Sequence, residues 1–142
     1  MQFLDKKYLV VGASSGIGRE ITERLRAGGA QVITVGRKPL SASSEHIVWD
    51  AQDTFDPNGM IPSVLHGVVY APGTINLKPF TRLSQTDFTT DWQINVMGAV
   101  QVLQAAIPSL RKANGASVLL FSTVAVQMGM AFHASVAASK GA

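Results

Sequence analysis

The sequence predicts an α/β fold in which helices cover both faces of a parallel β-sheet. Short apolar runs alternate with longer segments whose apolar residues recur at helical spacing, which is typical of strand–helix–strand units. The first apolar run ends in three spaced glycines and continues directly into a helical pattern. The chain has 142 residues, 46% of them hydrophobic, so residues 1–142 are expected to form a single domain.

The first strand and helix flank these glycines. Residues 8–11 are apolar at consecutive positions, as in a strand that is covered on both faces. Ile17, Ile21 and Leu25 then recur at helical spacing, which predicts a helix with one apolar face. The glycine pair at 28–29 is expected to end this helix.

The glycine turn between this strand and helix predicts a dinucleotide site. Gly12 permits a tight turn, while Gly16 and Gly18 leave room where backbone approaches a pyrophosphate and where the helix approaches the sheet. Ser14 and Ser15 can cap the helix, whose exposed N–H groups and positive dipole end would then face the phosphates. A strand-to-helix turn with a purely structural role is the alternative.

Four more strands follow. They are predicted at Gln31–Val35, Ile47–Trp49, Gly67–Tyr70 and Ser117–Phe121. Pro39–Glu45 is too short and serine-rich for a full crossover helix, so we expect a loop or a single turn there. Ala51–Pro62 is likewise expected to be a loop that carries at most a brief helix.

A long helix is predicted between the fourth and fifth strands. Asp87–Ile107 has the helical pattern, and Pro108 is expected to kink or end the helix nearby. The predicted buried stripe consists of Val96, Ala99, Val100, Leu103 and Ile107.

Composition and charge argue against several classes of protein. The chain has no cysteine, and His46, His66 and His133 lack ligand spacing, so no metal site is predicted. The net charge of +3 comes from scattered basic residues, which is not the pattern of a nucleic-acid partner. No apolar run has the length of a signal peptide or a membrane span, so we expect a cytoplasmic protein without a membrane partner.

The end of the second strand indicates which dinucleotide is bound. An acidic residue here commonly hydrogen-bonds the adenosine ribose, but this chain has Gly36 followed by Arg37. With no carboxylate to repel it and a guanidinium to bind it, a 2′-phosphate should be accepted. This favours NADP over NAD, whereas a solvated surface arginine is the alternative.

Three motifs resemble the short-chain dehydrogenase/reductase family. They are the spacing Gly-x-x-x-Gly-x-Gly filled by Ala-Ser-Ser, the segment Ile94-Asn95-Val96-Met97-Gly98, and the ending Ser-Lys-Gly-Ala at 139–142. The resemblance covers essentially the whole chain. It implies a Rossmann-type doubly wound sheet of five strands in the order 3-2-1-4-5, without the last strands of the family fold.

The resemblance also implies roles for individual residues. Asp50 matches the aspartate that contacts the adenine amine, and Asn95 matches the active-site asparagine, whose distortion of its helix exposes a carbonyl for a proton relay. Tyr70-Ala71-Pro72-Gly73 stands in place of the family's Asn-Asn-Ala-Gly, so the glycine remains and both asparagines are absent. The implied cofactor-binding residues are Gly12, Ser14, Ser15, Gly16, Ile17, Gly18, Arg37, Asp50, Ala71, Gly73, Asn95 and Lys140.

The family's catalytic motif is altered in this chain. Matching Lys140 to the lysine of Tyr-x-x-x-Lys places Val136 where the family has its proton-donating tyrosine. The family's serine corresponds to Thr123, with Ser122 as the alternative. Lys140 would bind the nicotinamide ribose, and His133 is the nearby candidate for another proton donor. Catalysis is therefore assigned to Asn95, Thr123 and Lys140.

Two functions remain open. The first is an NADP-dependent oxidoreductase acting on a small ketone, aldehyde or secondary alcohol, with low or no activity in this chain because Val136 cannot donate a proton. The second is an NADP-binding sensor or scaffold without turnover. The chain stops where the family continues, so we expect the front portion of a longer protein; the family also suggests a homo-oligomer that forms through the helix around Gly98–Ile107 and the one beginning near Val136.

Overall fold

The structure is a computed structural model that describes residues 2–38 and 45–142. Within these residues, five parallel strands form one sheet in the order β3-β2-β1-β4-β5. The strands are β1 (Lys7–Val11), β2 (Gln31–Gly36), β3 (His46–Val48), β4 (Gly67–Tyr70) and β5 (Ser117–Leu120). The predicted α/β class and strand order are confirmed, and every predicted strand lies within two residues of its observed position.

Helical segments connect these strands. The α-helices described are α1 (Gly16–Ala27), α2 (Gln85–Trp92), α3 (Gly98–Leu110) and α4 (Ala134–Gly141), and a π-helical segment, Gln93–Met97, joins α2 directly to α3. Short 3₁₀ turns lie at Phe80–Arg82 and Val124–Val126. The long helix thus ends two residues after Pro108, close to its predicted end. None of the helices in the described residues is long and apolar enough to cross a lipid bilayer.

The two predicted loops have different outcomes. Residues 51–62 form turns and irregular backbone with no helix, as predicted. The loop predicted at Pro39–Glu45 falls, apart from Glu45, outside the described residues.

The central strands β1, β2 and β4 are buried on both faces, which explains why their sequences are almost continuously apolar. On one face, residues of β1, β2 and β4 pack against α3; this cluster includes Leu9, Val11, Ile33, Val35, Val68, Ala99, Val102 and Ala106. On the other face, the alternate strand residues Val10, Val32 and Val69 pack with Leu25 of α1. β5 is the outermost strand, and all four of its residues are exposed.

Helix α2 begins two residues before its predicted start because a capping box fixes its first turn. The Ser84 hydroxyl accepts a hydrogen bond from the Asp87 backbone N–H (3.1 Å), and the Asp87 carboxylate accepts one from the Ser84 N–H (2.9 Å). This backbone hydrogen bond, together with Lys78 at 3.0 Å, lowers the pKa of Asp87. The Ser-x-x-Asp spacing was the available sequence signal for this start.

The predicted buried face of α1 is partly wrong. Leu25 is buried, but Ile17 is 59% exposed. Ile17 lies in the first turn of α1, where the helix projects beyond the sheet and borders a cavity instead of the core. Thr22 takes the inner position, and its hydroxyl donates to the Gly18 carbonyl oxygen (2.8 Å).

The predicted buried stripe of α3 is also partly wrong. Val100 and Ile107 are exposed, whereas Val102 and Ala106 are fully buried. Because α3 carries apolar residues on most of its sides, periodicity alone does not select the inner face. The π-helical segment before it changes the helical phase, and one extra residue rotates the face by about 100°.

Candidate functional site

A cavity of about 390 Å³ lies at the carboxyl ends of the strands, next to the point where the strand order reverses between β1 and β4. Open parallel sheets bind ligands at such a point. Ten of the twelve predicted cofactor-binding residues line this cavity: Gly12, Ser14, Ser15, Gly16, Ile17, Gly18, Arg37, Asp50, Ala71 and Gly73. The structure therefore brings together residues that are up to 61 positions apart in the chain, counting from Gly12 to Gly73.

The glycine turn has the geometry of a pyrophosphate cradle. Gly12 (φ 81°) and Gly16 (φ 56°) adopt left-handed backbone, and a Cβ on Gly16 would have nothing within 4 Å. A Cβ on Gly18 would overlap the Gly12 carbonyl oxygen, so only glycine lets α1 approach the turn this closely. The first turn of α1 contains no acidic residue, which leaves its positive dipole end available to an anion.

Ser15 precedes α1 as its N-cap residue, but its side chain makes no capping hydrogen bond. The expectation that a serine hydroxyl caps this helix is therefore not met by Ser15. Because the first-turn N–H groups of α1 are not bonded to this hydroxyl, they remain available to phosphate oxygens.

Arg37 and Asp50 lie at the end of the cavity formed by β2 and β3. Arg37 directly follows β2 and is exposed. Asp50 is the second residue after the end of β3. One Asp50 oxygen accepts a hydrogen bond from the Gln52 N–H (3.0 Å), which fixes the turn beyond β3. A guanidinium and a carboxylate thus border the region where the resemblance places an adenosine.

Tyr70 stands where the family has its first asparagine. Its buried hydroxyl donates a 2.5 Å hydrogen bond to the Ile94 carbonyl oxygen in the π-helical segment. A Cβ on Gly98 would overlap this hydroxyl oxygen, so Gly98 leaves the room for it. Burial, with a further contribution from the negative charge of Asp50, raises the pKa of Tyr70. A phenol thus joins β4 to the π-helical segment where both asparagines are absent, and our sequence reasoning missed this bond.

Replacing Tyr70 with phenylalanine should destabilise the protein by about 1–2 kcal/mol at neutral pH, because the Ile94 carbonyl loses its donor. The unfolded chain releases the Tyr70 proton near its ordinary pKa of 10.0, while the folded protein retains it. Wild-type stability should therefore fall as the pH rises above about 10, and this part of the loss should be absent from Tyr70→Phe. Urea unfolding at about pH 8 and about pH 11 measures both effects.

Tyr8→Phe is the matched control, since Tyr8 is the other tyrosine of the chain and its ring contact with Phe3 would survive. It should change stability less than Tyr70→Phe. If the free energies of unfolding of wild type and Tyr70→Phe differed by the same amount at both pH values, the raised pKa of Tyr70 would be contradicted.

Asn95 and Lys140 meet at the other end of the site, beside Gly73. A Cβ built on Gly73 would lie 3.2 Å from Lys140 Nζ and 3.4 Å from Asn95 Oδ1. Lys140 donates to the Phe121 carbonyl oxygen (3.1 Å), and partial burial lowers its pKa. Asn95 lies in the π-helical segment, so the helix is distorted at the residue where the resemblance implied it.

The remaining predicted catalytic positions lie around α4. Thr123 is half-buried, and its hydroxyl accepts a hydrogen bond from the Ala125 N–H (3.4 Å), whereas Ser122 is exposed. Val136 is buried on α4, one turn before Lys140. His133 precedes α4, with Nδ1 2.6 Å from the Ala131 carbonyl oxygen. The position at which the resemblance places a proton donor is thus occupied by a buried apolar side chain.

Comparisons with known proteins agree with this geometry. The family model for short chain dehydrogenases matches residues 6–142. L-xylulose reductase from Bos taurus is 26% identical, and the alignment covers 100% of this chain and 63% of that protein. L-xylulose reductase from Caenorhabditis elegans is 30% identical, and the alignment covers 99% of this chain and 62% of that protein. The chain spans less than two thirds of the length of either relative.

A solved structure shows the same similarity in three dimensions. The crystal structure of a Shigella flexneri short chain dehydrogenase complexed with NADP is 26% identical to this chain, with a TM-score of 0.88. The superposition covers 99% of this chain and 68% of that one. Since the family model spans nearly every residue, the chain belongs to the short-chain dehydrogenase/reductase family of oxidoreductases, whose members use nicotinamide cofactors.

Proposed function

We propose that this protein binds NADP and acts as an oxidoreductase between a nicotinamide and a small carbonyl or alcohol substrate, with little activity in the present sequence. The observation that carries this proposal is the placement of the glycine turn and Arg37 in one cavity at the strand-order reversal. The NADP complex of the similar Shigella flexneri protein supports the choice of cofactor.

The residues that border the cavity fit this cofactor. The open backbone at Gly16 and the first turn of α1 would hold the pyrophosphate, and Arg37 would bind the 2′-phosphate. Asp50 would contact the adenine amine, and Lys140 and Asn95 would face the nicotinamide ribose. Gly36, the last residue of β2, and Arg37, which follows it, bring no carboxylate that would repel a phosphate.

The residues of this chain would have to orient the substrate carbonyl and to supply a proton to its oxygen. A bound NADPH would supply the hydride that reduces a carbonyl carbon. Thr123 offers a hydroxyl that can orient the carbonyl, whereas Val136 has no proton to give to the carbonyl oxygen. Activity is therefore expected to be low, since a positioned acid accelerates such a step by about 100- to 10,000-fold.

Arg37→Ala should weaken NADPH binding by about tenfold or more, because it removes a charged hydrogen-bond donor from the 2′-phosphate. NADH has no such phosphate, so its affinity should change little. Isothermal titration of wild type and variant with both nucleotides gives the four dissociation constants that are needed.

Lys38→Ala is the matched control, because it removes the adjacent exposed cation and leaves the guanidinium in place. It should change NADPH affinity much less than Arg37→Ala. Equal dissociation constants for NADPH and NADH in the wild type, or equal weakening of both by Arg37→Ala, would remove the NADP assignment.

A cofactor-binding protein without turnover is the second candidate, and the burial of Val136 favours it. In that function Lys140 would serve the ribose alone. The two candidates share the cavity and differ in what a proton donor at position 136 would restore.

We further propose that the protein is a cytoplasmic homo-oligomer. The exposed apolar residues of α3, such as Val100 and Ile107, support self-association through this helix.

A further inference from the structure

A buried carboxylate lies behind Asn95. Asp91, in the last turn of α2, is fully buried. Its Oδ1 accepts hydrogen bonds from the Thr74 hydroxyl (2.5 Å) and from the Asn76 side-chain amide (2.9 Å). Thr74 also lines the cavity, so Asp91 is one hydrogen bond away from the cavity wall.

The Thr74 hydroxyl carries one proton, and where that proton goes helps to fix the orientation of Asn95. Because Thr74 donates its proton to the Asp91 carboxylate, it can only accept a hydrogen bond from Asn95. Asn95 Nδ2 accordingly donates to Thr74 Oγ1 (3.0 Å), and it also lies 2.8 Å from the Asp91 backbone carbonyl oxygen. The Ser139 hydroxyl lies 3.3 Å from the same nitrogen.

The other end of the Asn95 amide is a buried acceptor. Asn95 Oδ1 is inaccessible to solvent and has no hydrogen-bond partner among the residues that the structure describes. It lies beside Gly73, a residue of the cavity wall, and near the Lys140 ammonium. An unpaired buried acceptor is unfavourable, so a ligand that brings a hydroxyl to this position would gain a hydrogen bond without displacing a protein partner.

We propose that Asp91 is a positioning residue that acts through Thr74 to aim Asn95 Oδ1 at a hydroxyl donor in the cavity, of the class that a nucleotide ribose presents. Two acceptors hold the amide in this orientation, because the Asn95 NH₂ group donates both to Thr74 Oγ1 and to the Asp91 backbone carbonyl oxygen. The Asp91 side chain supports the first of these bonds, because it takes the Thr74 proton and leaves that hydroxyl as an acceptor for Asn95. The identity of the ligand rests on the proposed function, whereas the orientation of Asn95 does not.

Two ligands separate this role from a general structural one. NADPH carries both ribose groups, while adenosine 2′,5′-bisphosphate carries only the half expected at Arg37 and Asp50. Thr74→Val removes the hydroxyl and Asp91→Leu removes the group that accepts its proton, so each should weaken NADPH binding by about tenfold and leave the affinity for the bisphosphate unchanged. Thr74→Ser keeps the hydroxyl and should retain wild-type affinity for both ligands. Circular dichroism and thermal unfolding of each full-length variant confirm that it is folded.

The side-chain amide signals of Asn95 provide a readout without any ligand. They are assigned by their absence from the NMR spectrum of Asn95→Asp. In the wild type both protons should exchange slowly with solvent, and in Thr74→Val they should shift and exchange faster.

The outcomes are decisive in either direction. Equal weakening of both ligands by Thr74→Val, or no weakening of either, overturns the inference, because the first indicates damage to the whole cavity. If the wild type binds neither ligand, the proposed function fails, and the Asn95 signals alone decide whether the orientation is held by Thr74. If the Asp91 and Thr74 variants do not fold, fast exchange of the wild-type Asn95 amide overturns the inference and slow exchange supports it.

Discussion

Replacing Val136 with tyrosine should raise the rate of NADPH-dependent carbonyl reduction by about 100- to 10,000-fold, the range that a positioned general acid supplies. Positions 136 and 140 are one turn apart on α4 and share a face of the helix. A phenol at 136 would therefore lie near the Lys140 ammonium, which favours the phenolate and lowers the pKa of the phenol. The decrease in NADPH absorbance with a panel of ketones and aldehydes measures the rate.

The substitution also has a structural cost. Val136 is only 3% exposed, and a larger ring in a packed position destabilises by about 1–3 kcal/mol. Val136→Phe is the matched control, because it introduces the same ring without the hydroxyl. Activity in the tyrosine variant alone would show that the site lacks only its acid. Activity in the wild type would show that another group donates the proton, and inactivity of all three chains despite NADPH binding would contradict the explanation through Val136.

The strands were predictable because of the environment in which they lie. A parallel strand that is covered on both faces must be apolar at successive positions, so residues 8–11 and 67–70 differ from their surroundings in composition. The glycine turn was predictable for a related reason, since left-handed backbone and close approach restrict its positions to one residue type. These constraints are local, and a single sequence shows them.

The inner face of α3 was not predictable in the same way. Its orientation depends on the π-helical segment before it and on the bond from Tyr70 to Ile94, which joins residues 24 positions apart. A tyrosine at the end of a strand has several possible partners, and its sequence neighbours do not indicate which carbonyl it reaches.

The network behind Asn95 was missed for the same reason. Thr74 and Asn76 lie in irregular backbone after β4, and Asp91 is one of two acidic residues in a mostly polar helix. From the sequence alone, Asp91 would be predicted to be a solvent-exposed side chain, because aspartate is seldom fully buried. Only the packing of these segments shows that it is buried and bonded to two donors.

Gly18→Ala should destabilise the protein by about 3 kcal/mol and abolish nucleotide binding. The new Cβ would overlap the Gly12 carbonyl oxygen and lie 2.8 Å from the Gly12 carbonyl carbon. Both atoms are backbone, and Gly12 is itself fixed by its N–H donating to the Val35 carbonyl oxygen (2.8 Å), so the clash cannot be relieved by a side-chain rotation. Helix α1 would have to move away from the turn, which carries its first N–H groups away from the cavity. Urea unfolding and NADPH titration measure the two effects.

Gly129→Ala is the matched control for this change. A Cβ on Gly129 would meet nothing within 4 Å and its backbone is not left-handed, so stability should change by less than about 0.5 kcal/mol and binding should be retained. If Gly18→Ala folded and bound NADPH like the wild type, the close approach of α1 to Gly12 would not be what forms the phosphate site. Binding would then have to depend on side chains such as Ser14 and Arg37, and alanine at those two positions, not at Gly18, would abolish it.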